Sequence, residues 1–386
     1  MRILFLTPFL PDPAAGHGGG SYLGALAEGL AKHAELGLVH LSHASDGVPQ
    51  DLWSWRAAAA YPGEPRGAVH RLRMLRRWLS RPLLAAKYHQ PAILPLLAQA
   101  EAHFRPDVAL VEMAQMAQYL QHVSGCPTVF TDHEAGRPAN ATTGLGSWAD
   151  RRDARLFRRY VQEHYQRASL LQAVSRQDAD ELAATLDRKV LVRPPTLAIP
   201  PHPAAPGRAP RRALFLGDYR HAPNPLAAER LAREVWPLVR AQHPDAELWL
   251  AGRNERTIRP LAALPGVRVT GFVDDLAALF AAVRLVLAPL WSGGGFRVKN
   301  ATALAYGVPV VTNELGARGC RAPEPGCTVR ELPAELAQAT SQLLGSAELA
   351  TTGSELARRW AVENLSADAV ARRQLAHIER LLRVCD

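Results

Sequence analysis

The chain has 386 residues, 48% apolar and 21% charged, an ordinary balance for a folded protein and enough length for two domains with separate cores. Its net charge of +9 suits an anionic partner, yet there is no zinc-finger spacing, homeodomain signature or interleaved basic–aromatic ribonucleoprotein motif, so nucleic acid is disfavoured. No apolar run approaches a bilayer span, the first apolar run is cut short by Pro8 and Pro11, and the cysteines at 126, 320, 327 and 385 form no CxxC pair; a reducing, cytoplasmic setting is the expectation.

Residues 2–9 read as a buried strand leading into a loop that ends in Gly18, Gly19 and Gly20. Ser21 is placed to cap a helix whose Leu23, Leu26, Ala27 and Leu30 form one apolar face. The loop lacks the GxGxxG pattern and the ribose-binding acid of a nicotinamide site. Residues 36–41 make a second strand. Residues 66–87 then hold seven Arg or Lys and no acid, with Leu72, Leu75, Trp78 and Leu79 sharing a helical face, which predicts a basic amphipathic helix suited to an anionic membrane surface. Strands at 108–111 and 128–131 end in Glu112 and in Asp132, His133 and Glu134, where a parallel sheet collects its ligands. An arginine-rich helix at 148–167, a strand into a cap at 170–175 and a helix at 178–186 complete the first half.

Seven prolines between 194 and 210 mark a semi-rigid linker. Strand and helix then alternate again: strand 213–216, helix 226–241, strand 247–251, helix 255–264, strand 267–269 and a helix at 274–282 capped by Asp274. The apolar run 285–288 opens onto Trp291, Ser292, Gly293, Gly294, Gly295, Phe296, Arg297, Val298 and Lys299, with Asn300 placed to cap a short helix ending at Gly307. Strand, glycine loop and helix start is a geometry that holds phosphate, because free N–H groups and the helix dipole favour an anion. Only four of the 45 basic residues are lysine, and one of them, Lys299, stands here, where a compact ammonium suits a phosphate oxygen. Residues 367–385 read as a final helix with Leu375, Ile378, Leu381 and Leu382 on one side.

The stretches 214–219, 244–252 and 271–276, and Gly294, Gly295 and Lys299 followed by residues 303–311, resemble the second domain of GT-B glycosyltransferases of the retaining group 1, or family 4, type. The glycines at 18–20 and Ala173, Val174, Ser175 and Asp178 extend the likeness into the first half. The resemblance implies an α/β fold of two Rossmann-like parallel-sheet domains facing a cleft: an acceptor-side domain at 1–195, a linker at 196–211, a donor domain at 212–365 and a terminal helix at 366–386, which could pack back on the first domain. It also implies metal-independent, retaining transfer of a sugar from a UDP- or GDP-sugar to a glycan, lipid-linked or small-molecule acceptor, with no further cofactor.

Under that resemblance Arg220 and Lys299 neutralise the donor diphosphate and His133 lies near the sugar. Gly19, Gly20, Gly217, Asn224, Phe272, Gly294, Gly295, Phe296 and Thr302 line the donor, while Glu112 and Asp132 sit on the acceptor side. One departure stands out. The family places a glutamate three residues after the lysine to hold the donor ribose, often with another acid eight residues earlier, and this chain has Thr302 and Gly294 there. A hydroxyl cannot accept both ribose hydroxyls as a carboxylate does. Glu314, beyond the following strand, is a candidate substitute. A GT-B protein that binds a ligand or partner without catalysis is the rival reading.

Overall fold

The computed structural model describes residues 1–13, 18–43, 51–61, 67–133, 146–293 and 295–385. Glu134, Gly294, Arg66 and the start of the first glycine loop therefore lie outside the described residues. The chain divides into two compact units. The first comprises Met1–Thr196, Gly294–Phe296 and Ala367–Asp386; the second comprises Leu197–Gly293 and Arg297–Ser366.

Among the described residues the first unit is built on seven parallel strands: β1 (Arg2–Thr7), β2 (Glu35–Ser42), β3 (Trp53–Ala60), β4 (Val108–Glu112), β5 (Thr128–Asp132), β6 (Leu170–Ala173) and β7 (Leu191–Val192). Their order is β3-β2-β1-β4-β5-β6-β7. The helices are α1 (Gly18–Ala31), α2 (Ala68–Trp78), α3 (Leu83–Lys87), α4 (Ile93–Gln99), α5 (Ser147–His164) and α6 (Arg176–Leu186), with a 3-10 helix at Ala114–His122. Because strand side chains alternate, β1 feeds two cores: Leu4 and Leu6 enter one and Ile3 and Phe5 the other. The terminal helix, α13 (Ala367–Cys385), adds Val370, Ala371 and Ile378 to the second of these cores, beside Leu23, Leu26 and Leu30 of α1. Gly29 permits the close approach, since a Cβ there would lie 2.9 Å from that of Ala371.

The second unit has six parallel strands: β8 (Arg212–Leu216), β9 (Glu247–Ala251), β10 (Val267–Gly271), β11 (Leu285–Leu287), β12 (Val310–Thr312) and β13 (Cys327–Val329), in the order β10-β9-β8-β11-β12-β13. Around them lie α7 (Pro223–Arg230), α8 (Trp236–Gln242), α9 (Leu276–Ala281), α10 (Val298–Ala305), α11 (Pro333–Gly345) and α12 (Ala347–Leu365). In each sheet the winding reverses between two neighbouring strands, β1 and β4 in one and β8 and β11 in the other. Loops diverge there, leaving a crevice at the carboxyl ends of the strands.

Several sequence expectations shift. Helix α1 begins at Gly18, so Ser21 lies inside it rather than at its cap. Helix α9 is capped by Asp275, whose Oδ1 accepts from Ala278 N–H at 2.9 Å, and not by Asp274. Residues 255–264 form two 3-10 turns instead of an α-helix. The stretch 226–241 is broken by a π turn at Leu231–Val235, just before Pro237. The proline-rich segment is docked, not free: Leu197 N–H donates to Leu365 O, Ala204 N–H to Tyr306 O, and Arg358 donates to the Pro200 and Ala305 carbonyls. Prolines lack the donors for a ladder, so the remaining N–H groups of this segment donate to carbonyls at the ends of neighbouring helices, and Arg358 satisfies a carbonyl of the segment.

Candidate functional site

In the second unit the two residues singled out as phosphate ligands belong to one polar cluster at the crevice between β8 and β11. The Lys299 ammonium lies in the first turn of α10 and donates to Asn224 Oδ1 at 2.7 Å. Asn224 Nδ2 in turn donates to the Asp218 carbonyl at 2.7 Å, and Arg220 reaches the Asp218 carboxylate at 2.8 Å. Asn254 Nδ2 completes the cluster with a 2.9 Å bond to Asp218 Oδ1. Burial, followed by the nearby Arg297, pushes the Lys299 amine down to about 8, while Asp218 acts in the opposite direction. The Arg220 side chain is 68% exposed, and its hydrogen bonds hold the Asp218 carboxyl far below the ordinary carboxylate range.

The loop that carries Lys299 is fixed from behind. Gly293 and Gly295 have φ of 99° and 75°, a conformation that a side chain disfavours. Arg297 ties the loop down by donating to Gly293 O at 3.0 Å and Leu315 O at 2.9 Å. Asn313 pairs with both backbone groups of Leu290, at 3.0 and 2.7 Å. Asn300, expected at the helix cap, is instead buried one residue past Lys299 and donates to Gly316 O at 2.7 Å. Gly217 is tight because any Cβ would come within 3.1 Å of the Asn224 Cβ. Phe272 is 52% exposed, with the Arg253 guanidinium 4.5 Å above its ring.

Thr302 has its hydroxyl proton committed to Val298 O at 2.8 Å, the usual back-bond of a mid-helix threonine. The Glu314 carboxylate is engaged by Arg321, and its N–H donates to Glu331 Oε1 at 2.7 Å. Phe296 is half-buried.

The first unit gathers a second polar cluster at the ends of β4 and β5. His133 Nε2 lies 2.9 Å from Glu112 Oε2, and its Nδ1 lies 3.1 Å from the Tyr22 hydroxyl. Arg193 donates to the same Glu112 oxygen at 2.5 Å, with both side chains almost wholly buried. A carboxylate only accepts, so His133 Nε2 is the donor in its contact with Glu112, beside the bond from Arg193. Tyr22 also stacks on the His133 ring at 5.4 Å.

The sequence places Glu112 and Asp132 at an acceptor mouth, but both are buried, at 1% and 0% exposure. Asp132 Oδ1 accepts from the Tyr165 hydroxyl at 3.2 Å, and Glu112 holds His133. Both are buried polar groups at the sheet ends. Gly19 is packed under Phe9 and Met113, whose side-chain tips a Cβ would meet at 2.7 and 2.8 Å and have to push aside. Gly20 is buried, its carbonyl accepting from Asp12 N–H at 3.2 Å. Arg193 and Tyr22 are not legible as site residues in the sequence, since nothing in their neighbourhoods links them to Glu112 or His133.

Helix α2 also departs from expectation. Trp78 is buried and donates to Asp153 Oδ1 at 2.8 Å, whereas Leu72, Leu75 and Leu79 point outward at 69%, 48% and 60% exposure. The single apolar face expected there is thus split, because Asp153 of α5 offers Trp78 a buried acceptor. Among the described residues no helix is long and apolar enough to cross a membrane.

Residues 210–346 match the family model described as glycosyl transferases group 1. No curated protein sequence matches the chain. Among solved structures, sucrose-phosphate synthase from Thermosynechococcus elongatus superposes with a TM-score of 0.69 at 15% identity, covering 100% of both chains. Anabaena Alr3699/HepE, solved in complex with UDP and glucose, gives 0.60 at 15% identity over 98% of this chain and 99% of its own. WaaG, a glycosyltransferase involved in lipopolysaccharide biosynthesis, gives 0.59 at 14% identity over 97% and 99%. Residues 210–346 thus carry a likeness to group 1 glycosyl transferases, and the chain as a whole shares the two-domain GT-B fold of these structures.

Proposed function

We propose that the protein transfers a sugar, with retention of anomeric configuration, from a nucleoside-diphosphate sugar with a uridine or guanosine base to a glycan, lipid-linked or small-molecule acceptor. The observation that carries this reading is the cluster joining Lys299 to Arg220 through Asn224 and Asp218 at the strand ends of the second unit. Departure of a nucleoside diphosphate places charge on phosphate oxygens. Two fixed cations beside the first turn of α10 stabilise that charge more than they stabilise the ground state. Lys299 is desolvated and pre-placed; Arg220 exchanges Asp218 for a phosphate oxygen when the donor binds. Gly217, Gly295 and, by its place in sequence, Gly294 let the backbone approach the donor, and the open face of Phe272 is assigned to the base.

The first unit takes the acceptor, with His133 oriented by Glu112, Arg193 and Tyr22. The donor ribose is held without the usual carboxylate, by Thr302 and backbone groups. The reading requires no metal or cofactor. It places the enzyme in the cytoplasm at an anionic membrane surface, supported by the outward Leu72, Leu75 and Leu79 beside exposed Arg73 and Arg76.

A thermal-shift screen of nucleoside diphosphates, followed by donor hydrolysis and transfer assays, tests the reading. A shift with UDP or GDP that vanishes in Lys299→Ala is the expected result; equal shifts in both proteins reject the diphosphate assignment. Flotation with anionic vesicles at low salt tests the membrane contact, and absence of binding rejects it.

A further inference from the structure

The first unit holds a cavity of about 550 Å³ between the α2–α3 turn, the 3-10 helix and α5. It is remote from the carboxyl ends of the strands, because the last turns of α5 and of the 3-10 helix feed the opposite ends of β6 and β5. Its polar lining is strongly basic: Arg81, His89, His122, Arg159 and His164, with Glu163 as the acidic exception. Glu163 lies 4.0 Å from Arg159 and so offsets that arginine more than the others. The histidines are built in. His89 Nδ1 is fixed by Gln118 Oε1 at 3.1 Å, which commits that nitrogen as donor and presents the opposite edge of the ring. His164 stacks on Tyr160 at 4.5 Å, and its Nδ1 is buried with no hydrogen-bond partner among the described residues.

The neighbouring cations disfavour each other's charge: burial and then Arg81 press the His89 imidazole below its ordinary range against the Gln118 hydrogen bond, and burial does so for His164, with Glu163 opposing and Arg167, Arg81 and His122 adding to it. An anion with several acceptor oxygens eases that repulsion, because it accepts from the Arg81 guanidinium and from the ring edge that His89 presents and screens the like charges. The volume falls within the roughly 300–1,000 Å³ typical of small-molecule sites, so it admits more than a bare phosphate. Its rim includes the exposed Leu79 and Leu94, giving an apolar edge to a basic interior.

We propose that this cavity is a binding site for a phosphoryl anion, held by Arg81, His89 and His164. A phosphate monoester could arrive free in solution or as the headgroup of a lipid whose chains lie along the leucine rim.

The full-length chain tests this. Calorimetric titration with inorganic phosphate and with a hexose phosphate reads the free source. Flotation with phosphatidylcholine vesicles holding phosphatidic acid, against vesicles of matched charge holding phosphatidylserine, reads the lipid source. Binding in either arm that weakens by about tenfold or more in Arg81→Gln and in His164→Gln, at an unchanged thermal midpoint, supports the site. Histidine ring signals in the unmodified protein give a measure independent of variant folding, with His89 and His164 expected to move on adding whichever phosphate or lipid binds. No binding in either arm, binding unaltered by both substitutions, or ring signals that stay still when the binding anion is added overturns it.

Discussion

The two polar clusters use the same residue types in opposite ways. In the first unit the Glu112–Arg193 pair is almost entirely removed from water. Arg193 is the counter-charge of Glu112, with His133 adding a hydrogen bond to the same carboxylate, so neither side chain of the pair can be released without a large penalty. In the second unit Arg220 is mostly exposed and bridged to an Asp218 that is itself partly solvated. Such a pair contributes little to folding and its guanidinium is free to change partners. Burial therefore separates a cluster that orients a ring from one suited to grip and release an anion.

The sharpest way to break this comparison is Arg193→Met. Urea unfolding is expected to show a loss of about 3–5 kcal/mol, because Glu112 would be left buried and unpaired. Adding Glu112→Gln should recover part of that loss, whereas Asp218→Asn should hardly change stability. A small effect of Arg193→Met would mean that the two clusters do not differ as described.

Next in size, Lys299→Ala is expected to lower turnover about tenfold or more, equivalent to ~1.4 kcal/mol of transition-state stabilisation, without lowering the thermal midpoint. Arg220→Ala should reduce turnover by a similar factor, about tenfold by the same reasoning. Steady-state assays with each variant check both.

The pH dependence of Lys299 follows from its displaced amine. With the folded value lowered from 10.5 to about 8, the ammonium charge of the free protein is lost as pH rises through about 8. Nucleoside diphosphate affinity measured by calorimetry should therefore fall between pH 7 and 9, and in Lys299→Ala it should not. For folding the sign is opposite. Between about 8 and 10.5 the unfolded chain binds more protons at this position, so its contribution to stability rises with pH there, and the penalty is largest below 8. Removing the amine should relieve that penalty at neutral pH. The smallest expected effect is that of Thr302→Glu, a few-fold change in donor affinity of the size that one added hydrogen bond gives. An unchanged affinity would place the ribose elsewhere.

Much of the frame is legible in the order of residues alone. Apolar runs separated by glycine loops and helical periods define parallel-sheet domains, and local chemistry marks Lys299 because a lone lysine follows a glycine loop at a helix start. Helix limits are less legible. Asn300, Ser21 and Asp274 are all good capping residues by type, yet the backbone turns one or more residues away from each. Helices α11 and α12 and strands β3 and β13 carry no motif that draws them out of the chain.

Sequence periodicity determines which face of an element is apolar, because side-chain direction repeats with backbone geometry. It does not say which polar groups meet across elements. Arg193 finds Glu112 from 81 positions away, Lys299 finds Asn224 from 75, and Trp78 turns inward to Asp153 while its neighbouring leucines face water. Those pairings are decided only when sheets order their strands and expel water, since a buried charge or indole N–H must then take whatever partner the packing brings.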